Sequence, residues 1–444
     1  MASDLLSIAR SGTQAARVGL DVTAQNIANA SSTGYVRRSA SFGEVASTGG
    51  AYRIGDLSLS GTRLSGITRN ADAFRQAEVR RTGSDLARAN AEVSGLENIE
   101  SAIEQSGVYD AAVAFDSALQ RLAQDPVDTS LRASVIEKAR TLVGTFQITA
   151  KELDAAGEGL RFIATAGVTE TNRLAQELAR TNTRLARASD ATSDQTALLD
   201  QRDKLLEDLS ALVNISATFT PDGQVAVKVG DGADLVVGNA VTPLAMTVSA
   251  SDGTIAFDVG GSALALTGGS LAGQQLALAK NAQLKSDVDS LAAAIVTAFN
   301  GAQAGGTDLD GNPGAAIFSG TSAATIALAV ENGRKIATAP AGSIAGSRDA
   351  SNLAAIRSAI TGVDPAGAMD AIIFDVSGTL AGRKVTQGAL ETIASTAKVA
   401  LSAQAGVDLD QEAVNLVRFQ QAFQASGKVM QVASDIFDTL LGIR

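Results

Sequence analysis

Both ends of this chain carry an apolar period of seven, and matching long helices at the two ends restrict the folds open to it. Near the start, Leu6, Thr13, Leu20 and Ile27 recur every seven residues, with Ala9, Ala16, Thr23 and Ala30 at the alternate positions. This 3,4 spacing predicts one amphipathic helix over residues 3–30, about 42 Å long, with a coiled-coil seam. Near the end, from about residue 410 to 441, Leu416, Phe423, Met430 and Phe437 recur at sevens, with Ser426, Ala433 and Leu440 alternating. One stripe is small where the other is bulky, as expected of two helices that pack large against small. The N-terminal helix has too little apolar surface to be stable alone. The ends are therefore expected to pair, in a chain that runs outward and returns.

The intervening sequence changes character several times. Residues 36–70 are rich in Ser, Gly and Thr with short alternations such as Leu57-Ser58-Leu59, an extended segment or hairpin. Residues 84–213 are helical. Leu86, Val93 and Leu96 begin one helix, Asp125-Pro126 breaks it, and Leu131, Val135, Leu142 and Phe146 carry the next, with Asp128 or Thr129 as its N-cap. A leucine seam from Leu174 to Leu212 is interrupted by the polar residues 189–194. Residues 214–270 read as strands: Thr220-Pro221-Asp222-Gly223 is a turn, and Val225, Val227 and Val229 alternate after it. Helix returns over 271–300. The stretch 321–394 is mixed, with helix at Leu353 and Ile356 and a short buried run at Ile372-Ile373-Phe374.

The expected fold class is α+β, mainly α, in three units. Residues 1–35 with 400–444 form a terminal coiled coil, and 36–213 with 271–399 a mainly helical body. Residues 214–270 form an inserted β-domain at the end of the body away from the termini.

Composition narrows the chemistry. The 444 residues contain no His and no Cys. This removes the commonest general base, the commonest metal ligand, disulfides and thiolate chemistry. Lys plus Arg is 36 against 47 Asp plus Glu, a net charge of −11. That balance suits no general nucleic-acid binder. Arg37-Arg38 reads as a solvated face. No apolar stretch approaches membrane-spanning length, so no membrane insertion is expected. The start, Met1-Ala2-Ser3-Asp4, has an acid where a secretory signal needs basic residues. Asp308-Leu309-Asp310-Gly311-Asn312-Pro313-Gly314 begins like a Ca²⁺ loop but lacks the Gly at its sixth place and the Glu at its twelfth, and reads as a turn. Gly268-Gly269 opens a strand-to-helix turn with no P-loop Lys. Asp287 and Asp289, two apart on different helix faces, read as solvated charges. The sequence calls for no cofactor, no metal and no catalysis.

One string is more specific. In Asn26-Ile27-Ala28-Asn29-Ala30-Ser31-Ser32-Thr33-Gly34-Tyr35, two Asn three apart can bond backbone as the helix stops, Gly34 permits a positive φ, and Tyr35 can anchor the emerging strand. It closely resembles the N-terminal signature of flagellar rod, hook and hook-associated proteins. Asn415-Leu416-Val417-Arg418-Phe419-Gln420-Gln421-Ala422-Phe423-Gln424-Ala425, with the finish Phe437-Asp438-Thr439-Leu440-Leu441, is similar to the C-terminus of the hook-associated protein 1 family. Phe423 stands where many members have Tyr. The Ala123-Gln124-Asp125-Pro126 helix entry and Asp200-Gln201-Arg202-Asp203 resemble that family's body.

The resemblance implies a secreted structural subunit of the flagellum, at the hook–filament junction. It implies self-association, contacts with the hook protein and a second junction protein, a cytosolic chaperone on the C-terminal region, and type III export. The residues expected at the assembly interface are Leu6, Leu20, Ile27, Leu416, Gln420, Phe423, Met430, Phe437 and Leu440, with Asn26, Asn29, Gly34 and Tyr35 fixing the helix exit. Alternatives are another axial protein of hook or distal rod and an exported coiled-coil adhesin.

Overall fold

The computed structural model describes residues 2–32, 34–48, 57–188, 192–230 and 232–441. The first helix, α1 (Ala2–Ala28), leads into a hairpin of β1 (Arg38–Thr48) and β2 (Leu57–Arg69). Four helices follow: α2 (Ala73–Glu104), α3 (Val108–Leu122), α4 (Thr129–Leu185) and α5 (Ser193–Leu212). The starts of α2, α4 and α5 are chemically marked. Asp72 accepts from Arg75 N, Asp128 from Ser130 N and Leu131 N, and Thr192 from Gln195 N. At 57 residues, α4 spans about 85 Å along its axis.

Seven short antiparallel strands come next. β3 (Ile215–Phe219), β4 (Val225–Val229), β5 (Asp234–Val237) and β6 (Ala240–Val241) form one sheet in that order, and β7 (Leu244–Val248), β8 (Ile255–Val259) and β9 (Ser262–Leu264) a second. The inward alternation of Val225, Val227 and Val229, and of Ile255, Phe257 and Val259, joins both sheets to the helical core. Two asparagines on α4 grip the strands. Asn172 donates to Leu244 O and accepts from Leu244 N. Asn182 does the same at Val225 and also donates to Gly238 O.

Gly269, at φ +80°, turns the chain into α6 (Ser270–Ala304) and donates its N–H to Ser84 O. Residues 306–340 form a compact loop with two-residue strand pairs, and Phe318 from it joins Phe115 and Phe299 in an aromatic cluster. Buried Arg132, at the start of α4, donates to Pro126 O, Ile336 O and Thr338 Oγ1 and so holds this loop. Its burial pulls its pKa down to about 10, still charged at neutral pH. The chain closes with α7 (Ser351–Val363), α8 (Pro365–Ala405) and α9 (Leu409–Leu441).

Three expectations are corrected here. The β-region does not sit at the end away from the termini. It lies along the second half of α4 and the start of α6, beside α5, while the far end is built from α3, α7 and the 306–340 loop. Ile372-Ile373-Phe374 is not a buried run. It is a turn of the 41-residue α8, and Phe374 is 78 % exposed. Asp289 is not a free charge, for it accepts from Ala323 N and ties the 306–340 loop to α6.

Candidate functional site

The site is where the terminal helices meet each other and the body. α1 and α9 pack antiparallel. Asn26 Nδ2 donates to Glu412 Oε2 (3.1 Å), Gly19 lies under the Phe419 ring, and Gly12 faces Ser426. Each step of seven down α1 is met by a step of seven up α9, so the two repeats run in register. A Cβ on Gly19 would come within 2.5 Å of the Phe419 ring, and one on Gly12 within 2.8 Å of Ser426 Oγ. The bare backbone is what permits this approach. Phe42 of β1 meets Phe419 edge-on at 6.2 Å, and Ser11 Oγ accepts from Thr62 N, which seats the hairpin on the pair.

The line at the centre of the pair differs from the expected one. Ala9, Ala16, Gly19 and Thr23 are buried on α1, and Glu412 and Ala433 on α9, with Phe419 and Ser426 half-buried between those two. Leu20, Leu416 and Met430 are half-buried on its flank. Leu6, Ile27, Phe423, Phe437 and Gln420 are exposed, and the side chain of Leu440 lies outside the described residues. The reason is steric. Once glycines and alanines let the backbones close up on the Phe419 ring, the other bulky side chains fit beside the seam and not in it.

At its base the pair is tied by polar groups. Asn26 is 1 % exposed and clamps Arg38, accepting from its N–H (3.0 Å) and donating to its carbonyl (2.9 Å). Tyr35 donates its hydroxyl to Asn26 Oδ1 at 2.8 Å, and Arg38 lies over the Tyr35 ring. Burial pushes the Tyr35 hydroxyl's pKa up, so it stays a donor. Gly34, at φ +81°, makes the turn that sends the chain back. Asn29 is peripheral, donating to Gln25 O and accepting weakly from Ser32 Oγ.

Arg37-Arg38 is not a solvated face. Arg37 pairs with Glu412 (2.7 Å) and Arg38 with Asp200 (3.0 Å). Arg69 pairs with Asp200 and Asp203, and Arg202 with Asp203. All the acids in this set are largely buried, which makes each pair costly to break. Burial raises the Asp200 pKa in spite of its two arginines. At Asp203 burial also raises, but Arg202 and Arg69 outweigh it and hold the carboxyl below its ordinary value. Backbone links complete the joint: Arg37 N donates to Ala405 O, and the Asn70 side chain to Gln404 O. A cleft of about 150 Å³ lies here, lined by Tyr35, Val79, Arg80, Lys398 and Leu401 among others. Of these joint residues, the sequence reading passed over Arg69 and Glu412, and named Phe419, Asp200 and Asp203 by resemblance alone. The seven-residue line Glu412, Phe419, Ser426, Ala433 was present to be found, but an acid and a serine on it masked its role.

Elsewhere the loop at Asp308 is a closed turn. Asp308 accepts from Asp310 N and Asn312 N, and Arg334 and Lys335 neutralise the two carboxylates. Among the described residues no three carboxylates converge as metal ligands, and no helix is long and apolar enough to cross a membrane.

Residues 93–318 match the family described as "Flagellar hook-associated protein FlgK helical domain". Residues 402–443 match "Flagellar basal body rod FlgEFG protein C-terminal" and residues 6–35 "Flagella basal body rod protein". Flagellar hook-associated protein 1 of Salmonella typhimurium is 29 % identical over 332 residues, covering 71 % of this chain and 59 % of that protein. Its namesake from Bacillus subtilis is 21 % identical, covering 98 % of this chain and 97 % of the relative. Among solved structures, that of the flagellar hook junction protein FlgK from Burkholderia pseudomallei superposes with a TM-score of 0.63 at 16 % identity, covering 73 % of this chain and 99 % of that one. The last likeness establishes a shared fold.

Proposed function

Because the chain belongs to the flagellar hook-associated protein FlgK family, we propose that it is a structural, non-enzymatic subunit of the bacterial flagellar axis, placed at the junction of hook and filament. The observation that carries this reading is the antiparallel terminal pair: a glycine- and alanine-lined seam, in register over heptads, fixed to the body by the Asn26–Arg38–Asp200 joint. A pair that seats only the Phe419 ring in its seam and leaves Leu6, Ile27, Phe423 and Phe437 exposed suits packing against copies of itself along an axis. The match of residues 93–318 supports the junction over a rod or hook position, because the matches at the two ends are to rod-protein families. Under this reading the chain is secreted through the type III export apparatus, a cytosolic chaperone holds its C-terminal region, and it contacts the hook protein on one side and a second junction protein on the other. The assembly interface comprises Leu6, Leu20, Ile27, Leu416, Gln420, Phe423, Met430, Phe437 and Leu440. Asn26, Asn29, Gly34 and Tyr35 set the exit of α1.

The test is deletion of the gene in its source bacterium, with electron microscopy of the cell surface and an assay of flagellin in the medium. Bare hooks with flagellin shed into the medium, restored by complementation, are expected. Intact filaments in the deletion strain would overturn the reading, and loss of the hook itself would move the protein to the rod or hook.

A further inference from the structure

Helix α8 buries one apolar line, Met369, Val376, Leu380 and Ala397, and leaves a second one outside. Three charges on its flanks reach the body: Arg383 pairs with Glu92, Lys384 with Glu97 and Asp375 with Lys280. Its outer line, Ala371, Gly378, Val385, Thr392 and Val399, recurs every seven residues and carries no charge. Phe374 beside it is 78 % exposed and Val385 on it 76 %. Gly378, Gly382 and Gly388 also face outward, and a Cβ on any of them would meet nothing within 4 Å. Glycine is among the poorest helix formers, and an open helix face gives no reason to keep three of them. Close approach by something outside the molecule does.

The opposite flank offers a matching surface. α2 and α6 lie between α4 and α8, since α4 and α8 each pack on both. The outer face of α4 therefore points away from that of α8. It carries Phe162, 76 % exposed, with Ile148 and with Gly144 and Gly159, whose added Cβ atoms would likewise meet nothing. The two faces stand at the same height. Leu160 of α4 packs at Gly95 of α2, and two residues along α2 Glu97 pairs with Lys384 of α8. Ile148 and Phe162 are two heptads apart, as are Phe374 and Gly388. α4 and α8 also run in the same direction, from the α3–α7 end toward the terminal pair.

We infer that the outer face of α8 docks, in parallel, on the outer face of α4 of a second copy of this chain, with Phe162 seated at the Gly388 notch and Phe374 beside Ile148. This rests on the axial-subunit reading and names the face by which the helical bodies meet. The contact joins two different surfaces, so it is head-to-tail and closes into a ring or winds as a helix. The α8 face from Ala371 to Val399 is about 42 Å by 10 Å, roughly 400 Å² per partner. One such contact buries roughly 800 Å², too little for a free dimer, whereas in a ring every copy makes two.

The chain has no cysteine, so engineered pairs can be read without background. The experiment places Phe162→Cys with Val385→Cys in one full-length chain, expressed in the deletion strain. Flagella are treated with a bismaleimide crosslinker. A ladder of covalent multimers is expected from the double variant, and no product beyond a dimer from either single variant. A second variant, Gly388→Leu, fills the notch. Its purified monomer should melt at or above the wild-type temperature, while filaments per cell fall at least tenfold. Filaments without a ladder, or full assembly by Gly388→Leu, would overturn the α4–α8 contact and leave the junction reading standing. Filaments in the uncomplemented deletion strain would remove both.

Discussion

Replacing Asn26 by Ala removes the amide that satisfies two backbone groups of Arg38 at once, both in a buried setting. The Arg38 N–H and carbonyl are left without partners, the Tyr35 hydroxyl loses its acceptor, and Glu412 keeps only Arg37. An orphaned buried polar group costs about 1–3 kcal/mol. Two backbone groups, with some water entering the vacated space, give about 2–4 kcal/mol for opening the base of the terminal pair. At 1.4 kcal/mol per factor of ten, this is roughly a 30- to 700-fold rise in local opening. Amide hydrogen exchange of residues 20–28 and 38–44 measures it directly. Asn29→Ala is the internal control. Its side chain makes a half-exposed bond to Gln25 O, so a change below about fivefold is expected there. Asn26→Asp keeps the acceptor for Arg38 N–H but sets a carboxylate where the amide nitrogen stood 3.1 Å from Glu412, so it should do no better than Ala. If Asn26→Ala and Asn29→Ala change exchange equally, the clamp does not hold the joint and the reasoning fails.

Further outcomes follow from the same contacts. Gly19→Ala drives a methyl against the Phe419 ring and should destabilise the terminal pair by about 1–3 kcal/mol, whereas Gly12→Ala meets only a rotatable Ser426 hydroxyl and should be neutral or stabilising; exchange rates across α1 should separate the two. Arg132→Met withdraws the donor from Pro126 O, Ile336 O and Thr338 Oγ1 and should cost about 3–5 kcal/mol, read by urea unfolding and by exposed amides in residues 333–338. Asp203 has a folded pKa held below its ordinary 3.8, so its contribution is complete above that value and is lost as pH falls through the depressed one; Asp203→Asn should flatten the acid arm of a stability–pH curve. At Asp200 the shift is upward, so protonation favours the folded joint, and Asp200→Asn should leave that acid arm steeper.

What the sequence made legible follows from what a local pattern can encode. Helix starts at Asp128 and after Gly269, the valine alternation of β4 and the heptads at both ends depend on neighbours in the chain, and each is present in the fold. Which face of a heptad becomes the seam depends on the partner helix. The small line of α1 and the Glu412–Phe419 line of α9 choose each other, and neither is the bulkier of its own helix. Within 321–394 the helix expected at Leu353 and Ile356 is present as α7, but the short buried run at Ile372-Ile373-Phe374 is not, for a related reason. α8 buries Met369, Val376 and Leu380 yet turns Phe374 outward, so apolar residues on it do not by themselves mark the buried face. A recurring device was invisible for want of partners: asparagines on helices that grip a passing extended strand by both its N–H and its carbonyl. Asn26, Asn172, Asn182 and Asn300 all do this, each to residues 12 to 72 positions away.

These grips are not spread evenly along α1, and that sets how the terminal pair should behave before assembly. At its base, Asn26, Arg37 and Arg38 bind the pair to α5 and to the end of α8. Toward the free end, the seam buries Ala9 and Ala16, side chains of a single carbon, each contributing about 0.8 kcal/mol. Leu5, Leu6 and Ile8 remain more than a third exposed there. Ordering a residue costs about 1–2 kcal/mol of backbone entropy, so the distal turns have little to offset it. In the dilute monomer, amides of residues 5–12 should exchange close to unprotected rates, and those of residues 20–28 at least tenfold more slowly. In assembled flagella the gradient should vanish, because neighbouring copies cover the exposed leucines. Uniform strong protection along α1 in the monomer would mean that the small-residue seam suffices by itself, and that the exposed Leu5, Leu6 and Ile8 are not what assembly supplies with a partner.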